Sequence, residues 1–198
     1  MNTAKYKLIG LAGTAGAGKD TVADILCRLY SAENLSTSDF IRAITRYIYR
    51  LPADFNPVRD QLFDVATFLR NEVDPAVTVK ICILQTQELH IERALISGLR
   101  TLGEAEAIRA AGGLIIGVDA DPKLRYGRIF ARQRDSEAQK TFEQFVAQDE
   151  YENRGASAVG EGKGVRAIID GADVLIDNSG ETEALEPLLR EKLDTFFR

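Results

Sequence analysis

The sequence predicts a three-layer α/β/α domain built on a five-stranded parallel sheet, and three observations predict it. Short apolar runs that read as buried strands alternate along the chain with longer segments of helical periodicity. The first of these runs gives way to a glycine-rich turn that leads straight into a helix. Finally, 198 residues are enough for one domain of this kind and too few for two of ordinary size.

The first unit organises the rest. Leu8-Ile9-Gly10-Leu11-Ala12 is the strand, Gly13-Thr14-Ala15-Gly16-Ala17-Gly18 the turn, and Val22, Ile25, Leu26 and Leu29 recur at helical spacing behind Lys19. Glycines let the backbone curl with several N–H groups pointing inward, and the helix adds its positive end. Residues Gly13 to Gly18 thus form a cradle for a triphosphate, with Lys19 against its β- and γ-phosphates. One position departs from the usual pattern. Asp20 stands where a serine or threonine normally touches Mg²⁺, and a hydroxyl follows one residue later at Thr21. Asp20 and Thr21 are therefore the candidate metal ligands; Asp20 equally suits the first turn of a helix by its charge alone.

Composition narrows the function classes. A net charge of −5 argues against a nucleic-acid surface, which needs a basic stripe. Cys27 and Cys82 lie on apolar helical runs with no metal-like Cys/His cluster, so they read as core thiols in a reducing, cytoplasmic setting. Lys5 and Lys7 lead directly into the first strand, unlike a signal peptide, and no apolar run reaches membrane-spanning length.

The remaining elements follow in order. Asn34 to Ser38 crosses back to the sheet, and Asp39 falls where a second strand ends and a helix begins, an N-cap position. That helix continues through Ile44, Tyr47 and Ile48 until Pro52; Pro57 opens another to about Glu72, bearing Arg59 and Arg70. A third, from Ala76 to about Leu89, is apolar enough to be well buried. Arg93 to Gly98 is the next strand, with Arg100 at its carboxyl end, where open α/β sheets bind ligands. Thr101 and Glu104 form a capping box for a helix through Ala111. After the strand Gly113 to Asp119, Asp121-Pro122 starts a helix on which Arg125, Arg128 and Arg132 share one face, with Arg134 just beyond. Such a cluster is either a solvated basic face or a clamp on transferring phosphates. Thr141 and Gln144 cap a further helix, Arg154 to Gly164 reads as a loop, Val174-Leu175-Ile176 is the last strand, and Leu185 to Phe197 closes the chain.

This combination resembles the nucleoside-monophosphate kinase and dephospho-coenzyme A kinase group of phosphate-loop kinases across nearly the whole chain. Gly18-Lys19-Asp20-Thr21 is similar to the variant loop of phage-type deoxynucleoside-monophosphate kinases, while the later segments look closest to archaeal and bacterial members known only as kinase-like. Asp39-Phe40-Ile41-Arg42 resembles the Asp-Leu-Leu-Arg of nucleotide kinases, whose arginine grips the acceptor phosphate. It also resembles the Asp-x-Ile of dephospho-coenzyme A kinases, whose aspartate acts on the acceptor hydroxyl. Gly98-Leu99-Arg100-Thr101 is similar to the Asp-Gly-Phe-Pro-Arg-Thr signature, with the proline missing and Ser97 in the acid's place. Arg128 and Arg132 fall where the lid arginines begin, and Asn178-Ser179-Gly180 resembles the loop beside the donor adenine. The resemblance implies ATP and Mg²⁺ as cofactors, a helical acceptor-binding subdomain over about 39–90 and a lid over about 125–164. With Ser97 and Asp20 as they are, it also implies that the metal acid has moved or that catalysis is poorer.

Phosphoryl transfer needs alignment and charge neutralisation more than covalent chemistry. Lys19 and the loop amides would hold the donor, and Arg128, Arg132 and Arg134 would offset charge as the lid closes. A phosphate acceptor calls on Arg42, Arg70 and Arg100; a hydroxyl acceptor calls on Asp39 as a base. The arginines favour a nucleoside monophosphate, with a hydroxyl acceptor second and a nucleotide-binding switch or slow ATPase acting on a protein partner third. Plainer roles stand beside these: Arg42, Arg59 and Arg70 as surface helix arginines, and Asn178 as an N-cap with Glu181 at the third helical position. The expected partner is a small nucleotide-type molecule, with neither nucleic acid nor membrane, for a monomer or homodimer.

Overall fold

The computed structural model describes residues 7–132, 141–153 and 164–197, with the side chains of 132 and 151–153 outside that description. Strands β1 (Leu8–Gly13), β2 (Glu33–Ser36), β3 (Ala94–Ser97), β4 (Leu114–Asp119) and β5 (Val174–Asp177) form one sheet in the order β2-β3-β1-β4-β5. All four pairings are parallel. The chain thus has the three-layer α/β/α architecture that its sequence predicts.

The central strands are buried on both faces, which is why they read as unbroken apolar runs rather than alternating ones. Ile9, Leu11, Leu114, Ile116 and Val118 point to one layer, where Val22 and Leu26 of α1 (Lys19–Tyr30) meet Leu185, Leu189 and Leu193 of the C-terminal helix. Leu8, Ala12, Ile96 and Ile115 point to the other, toward Val79 and Cys82, Ala105 and Ile108, and Ile168 and Ile169. At Gly10 a Cβ would lie 2.7 Å from Ile115 Cδ1 and 2.9 Å from Leu99 Cδ1, so glycine here is a packing requirement.

Parallel strands all end at the same edge. Gly13, Ser36, Ser97, Asp119 and Asp177 therefore stand at one edge, where each hands the chain to a loop or helix; this is the edge at which open α/β sheets bind ligands. Between β2 and β3 runs a helical block, α2 (Thr37–Ile48), α3 (Arg59–Phe68), a π-helical turn (Leu69–Val73) and α4 (Val77–Glu88). It has its own small core of Ile41, Val65 and Leu69, backed by Phe40, Ile44 and Leu62. After β3 come α5 (Leu102–Ala110), then α6 (Pro122–Arg132) and α7 (Phe142–Asn153) beyond β4, α8 (Val165–Asp170), and α9 (Thr182–Phe197) after β5.

Several expectations need correction. Helix α2 starts at Thr37, so Asp39 lies in its first turn and is not the N-cap; the residue at the cap is Ser36. Thr37 sets that start, because its hydroxyl donates to the carbonyls of Ser97 (3.2 Å) and Gly98 (3.0 Å). The helix after Pro57 begins at Arg59 and ends in the π-helical turn. Helix α4 buries only a stripe of Thr78, Val79 and Cys82, while Leu84 is 57% exposed, since its apolar residues run round the helix without a 3.6-residue period. Helix α8 has no counterpart in the sequence reading; Val165, Ile168 and Ile169 complete the second core. Helix α9 begins at Thr182, a turn earlier than expected. The segment read as a loop from Arg154 lies, up to residue 163, outside the described residues. Among the described residues no helix is long and apolar enough to cross a membrane.

The buried thiol of Cys82 makes the core sensitive to alkali. Burial, then the charges of Glu104 and Asp39, push it up from an ordinary 9.0 to about 11. The unfolded thiol ionises first, so stability is full below pH 9 and declines as pH rises through the window from 9 to 11. From about pH 8 to about pH 10 the wild type is expected to lose about 1.3 kcal/mol more than Cys82→Ala, measured by urea denaturation at both pH values.

Candidate functional site

The loop between β1 and α1 takes a shape that only glycine permits at two points. Gly16 and Gly18 have φ of 77° and 86°. A Cβ on Gly16 would lie 2.5 Å from the Arg125 carbonyl oxygen, and one on Gly18 2.3 Å from Asn178 Nδ2. Both conformation and packing therefore demand glycine there. Gly18 caps α1 without a side-chain acceptor, and the Ala17 amide donates back to Thr14 O at 3.1 Å. This is a cradle of backbone N–H groups at a helix start, a shape that fits phosphate oxygens.

Neighbouring elements hold the loop from outside. The Thr14 hydroxyl donates to Asp119 Oδ1 at 2.8 Å; the same carboxylate accepts from the Ala120 amide at 2.9 Å and from Arg166 Nη1 at 2.6 Å. Asn178 Nδ2 donates to Ala17 O at 2.8 Å, and the Asn178 amide donates to Asp119 O at 2.8 Å. Arg125 reaches Ala15 O at 3.2 Å and Ala120 O at 3.1 Å, and forms a two-pronged pair with Asp149 at 2.7 Å on each oxygen. Its guanidinium also lies 5.4 Å from the ring of Phe145.

These contacts revise two readings. Arg125 is 5% exposed and committed to the loop backbone and Asp149, so it is not part of a phosphate clamp. Asn178 is 7% exposed and braces the loop; it does not cap α9, which starts four residues later. Gly180, by contrast, is exposed with open space around it. Arg128 Nη2 donates to Asn178 O at 2.9 Å, while its Nη1 is buried without a partner among the described residues, 3.9 Å from where a Gly18 Cβ would stand. Buried N–H groups of this kind are uncommon, and this one adjoins the phosphate cradle. The side chain of Arg132 and the whole of Arg134 lie outside the described residues.

Lys19 is paired with the Asp20 carboxylate, with side chains 23% and 65% exposed. Thr21 is exposed one residue on, about 100° further round the helix. Among the described residues no cluster of three or more acidic, His or Cys side chains is placed to hold a metal ion. One carboxylate and one hydroxyl suit Mg²⁺ only in its common form, held largely by phosphates and water.

Across the sheet edge lie the residues that the sequence assigns to an acceptor. Asp39 and Arg42 form a surface pair at 3.2 Å, their side chains 76% and 39% exposed. The Arg100 side chain is exposed, whereas its amide donates to Glu104 Oε2 at 2.5 Å. Arg70 Nε donates to Glu104 Oε1 at 3.1 Å. Ser97, at the position of the missing acid, is buried at the end of β3. A recess of about 570 Å³ at the far end of α2, lined by Ala43, Arg46, Tyr47, Arg50, Leu51 and Ala53, includes none of these residues.

Sequence reasoning passed over Asp119 and Glu104. An acid closing an otherwise apolar strand at the carboxyl edge is the signal that would have found Asp119. Nothing local distinguishes Glu104 from an ordinary solvated capping glutamate.

Asp149→Asn leaves the Arg125 guanidinium buried without its counter-charge and is expected to destabilise the fold by about 3–5 kcal/mol, with Arg125→Met/Asp149→Leu recovering most of it. Urea denaturation of the three proteins measures this; of the two variants only the double one also removes the Arg125 bond to Ala15 O.

By sequence, no family model and no curated protein matches the chain. Its fold is shared with solved structures over almost its full length. Shikimate kinase from Bacteroides thetaiotaomicron is 16% identical, with 93% of this chain and 96% of that one covered and a TM-score of 0.55. TT1252 from Thermus thermophilus is 21% identical, with 94% and 95% covered and a TM-score of 0.53. Shikimate kinase from Acinetobacter baumannii in complex with shikimate is 15% identical, with 98% and 96% covered and a TM-score of 0.53. At these identities the likeness is one of fold: the parallel three-layer α/β arrangement is one that this chain shares with two shikimate kinases.

Proposed function

We propose that this protein is a phosphotransferase that moves the γ-phosphate of ATP to a nucleotide-type small molecule, first of all a nucleoside or deoxynucleoside monophosphate. The observation that carries the reading is the braced glycine loop, with Lys19 at its mouth and a separate set of arginines across the same sheet edge. ATP would supply the transferable phosphoryl group and Mg²⁺ the charge that offsets its oxygens.

The chain's own residues would do the rest. Amides from Gly13 to Gly18 bind the phosphates, and Lys19 exchanges its Asp20 partner for β- and γ-oxygens. Asp20 and Thr21 are the residues that would help hold Mg²⁺, directly or through water. Arg128 offers its unpartnered Nη1 next to the loop, and Arg132 and Arg134, the next arginines in the sequence, are assigned the same charge-offsetting role. Asn178 acts through the loop, with Gly180 leaving room for the donor base. Arg42, Arg70 and Arg100 receive the acceptor phosphate, since a nucleophile that is already anionic needs its repulsion offset rather than a base. Helical acceptor and lid segments on either side of the sheet edge would exclude water during transfer.

A second reading keeps to the same donor site. The Asp39 carboxylate is open to solvent on α2, so it can take the proton of a hydroxyl acceptor, as in dephospho-coenzyme A-like transfer.

The test is transfer from γ-labelled ATP with Mg²⁺ to a panel of nucleoside monophosphates, deoxynucleoside monophosphates and dephospho-coenzyme A. Label is expected on a monophosphate and is expected to fall at least about a hundredfold in Lys19→Ala. Label on dephospho-coenzyme A alone would favour the hydroxyl reading. Lys19-dependent phosphate release with no acceptor labelled would sink both and point to a switch or slow ATPase.

A further inference from the structure

Glu104 has more bonds than a helix cap requires. As the third residue of α5 it accepts from the Thr101 amide, and the Thr101 hydroxyl accepts from its own amide, which completes the capping box. Its carboxylate is nevertheless 0% exposed and takes three further donors: the Arg100 amide (2.5 Å), the Thr78 hydroxyl (2.7 Å) and Arg70 Nε (3.1 Å). Four donors fill the acceptor capacity of a carboxylate. A helix cap contributes far less than burying a carboxylate costs, so capping alone does not account for this arrangement.

The four donors come from three places: the loop after β3, helix α4 and the π-helical turn that carries Arg70. Such turns recur at functional sites because one extra residue re-aims a side chain. Arg70 is held at Nε only; its two Nη groups have no protein partner among the described residues and are not sealed from solvent. The Arg100 side chain is exposed and likewise without a partner among the described residues, while its backbone is pinned. One carboxylate thus holds the Arg70 guanidinium directly on Oε1 and, on Oε2, the backbone from which the exposed Arg100 side chain springs.

We infer that Glu104 is the positioning residue of the acceptor site, holding Arg70 and Arg100 as a pair that takes one phosphate group of the acceptor. The inference rests on the reading of the chain as a phosphotransferase with an anionic acceptor. Glu104 itself touches no substrate; it sets where the two cations stand.

The test uses the full chain labelled with ¹⁵N-arginine, with inorganic phosphate as the probe, and wild type beside Glu104→Gln and Arg70→Lys. Gln keeps the size of Glu104 but loses the charge and sets an NH₂ group against two of the four donors. Lys keeps the charge of Arg70 but lacks the Nε anchor, and at a partly exposed position it guards against a Glu104 variant that fails to fold. In wild type, phosphate is expected to shift the Arg70 and Arg100 Nε–H signals saturably; in Glu104→Gln the Arg100 response, and in Arg70→Lys likewise, weakens about tenfold. With the acceptor labelled in the transfer panel, KM for that acceptor is expected to rise about tenfold in each variant while kcat and KM for ATP stay within about threefold. Arginine signals that ignore phosphate in wild type, variants that respond as wild type does, or ATP and acceptor KM values that rise together would overturn the inference. If no acceptor is labelled, the phosphotransferase reading fails by itself, and the phosphate titration still decides whether the arginine pair exists.

Discussion

A loop made of glycine, alanine and one threonine has no means of holding its own shape, and everything at this site depends on supplying that shape from elsewhere. Each glycine adds conformational freedom that folding must remove. Three polar braces remove it: Thr14 to Asp119, Ala15 to Arg125, and Ala17 to Asn178. They come from the ends of β4 and β5 and from α6, so the cradle forms only when the sheet is assembled and its carboxyl edge aligned. Rigidity of this kind is what electrostatic catalysis needs, because donors already in place need no reorganisation as charge develops.

The braces also explain how an acidic chain places its cations. Arg125 is neutralised by Asp149 and packed on Phe145, and Arg166 is shared between Asp119 and Asp170. Lys19 and Arg42 rest on neighbouring carboxylates. These last two pairs are exposed on at least one side and worth little to stability, so an incoming phosphate can replace the carboxylate at small cost. The buried pairs are different in kind. Arg125–Asp149 and Arg70–Glu104 hold geometry, and removing one partner would leave the other charge uncompensated.

Much of the fold was legible from local pattern. Apolar runs at Leu8–Gly13, Ala94–Ser97 and Leu114–Asp119 declared buried parallel strands, and the two capping boxes, at Thr101/Glu104 and Thr141/Gln144, form as read. The misreadings share a cause. The identity of Asp39 suits a cap, but Thr37 reaches the β3 carbonyls and starts the helix earlier. The composition of α4 suggests a buried helix, yet burial follows which side packs inward, and only Thr78, Val79 and Cys82 are buried along it.

By itself the sequence determined the parallel α/β architecture and the glycine loop between β1 and α1, because these are written in neighbouring residues and in periods of two to four. Only the tertiary structure decided which polar residues serve the site and how. Thr14 and Asp119 are 105 residues apart, Ala17 and Asn178 161, and Arg70 and Glu104 34. Asn178, Arg125 and Glu104 each look like surface residues in their own segments. They become braces and anchors because the strand order β2-β3-β1-β4-β5 sets β1 between β3 and β4 and so brings distant strand ends to one edge. There, burial removes water as the competing partner, and each polar group must find its bonds in the protein.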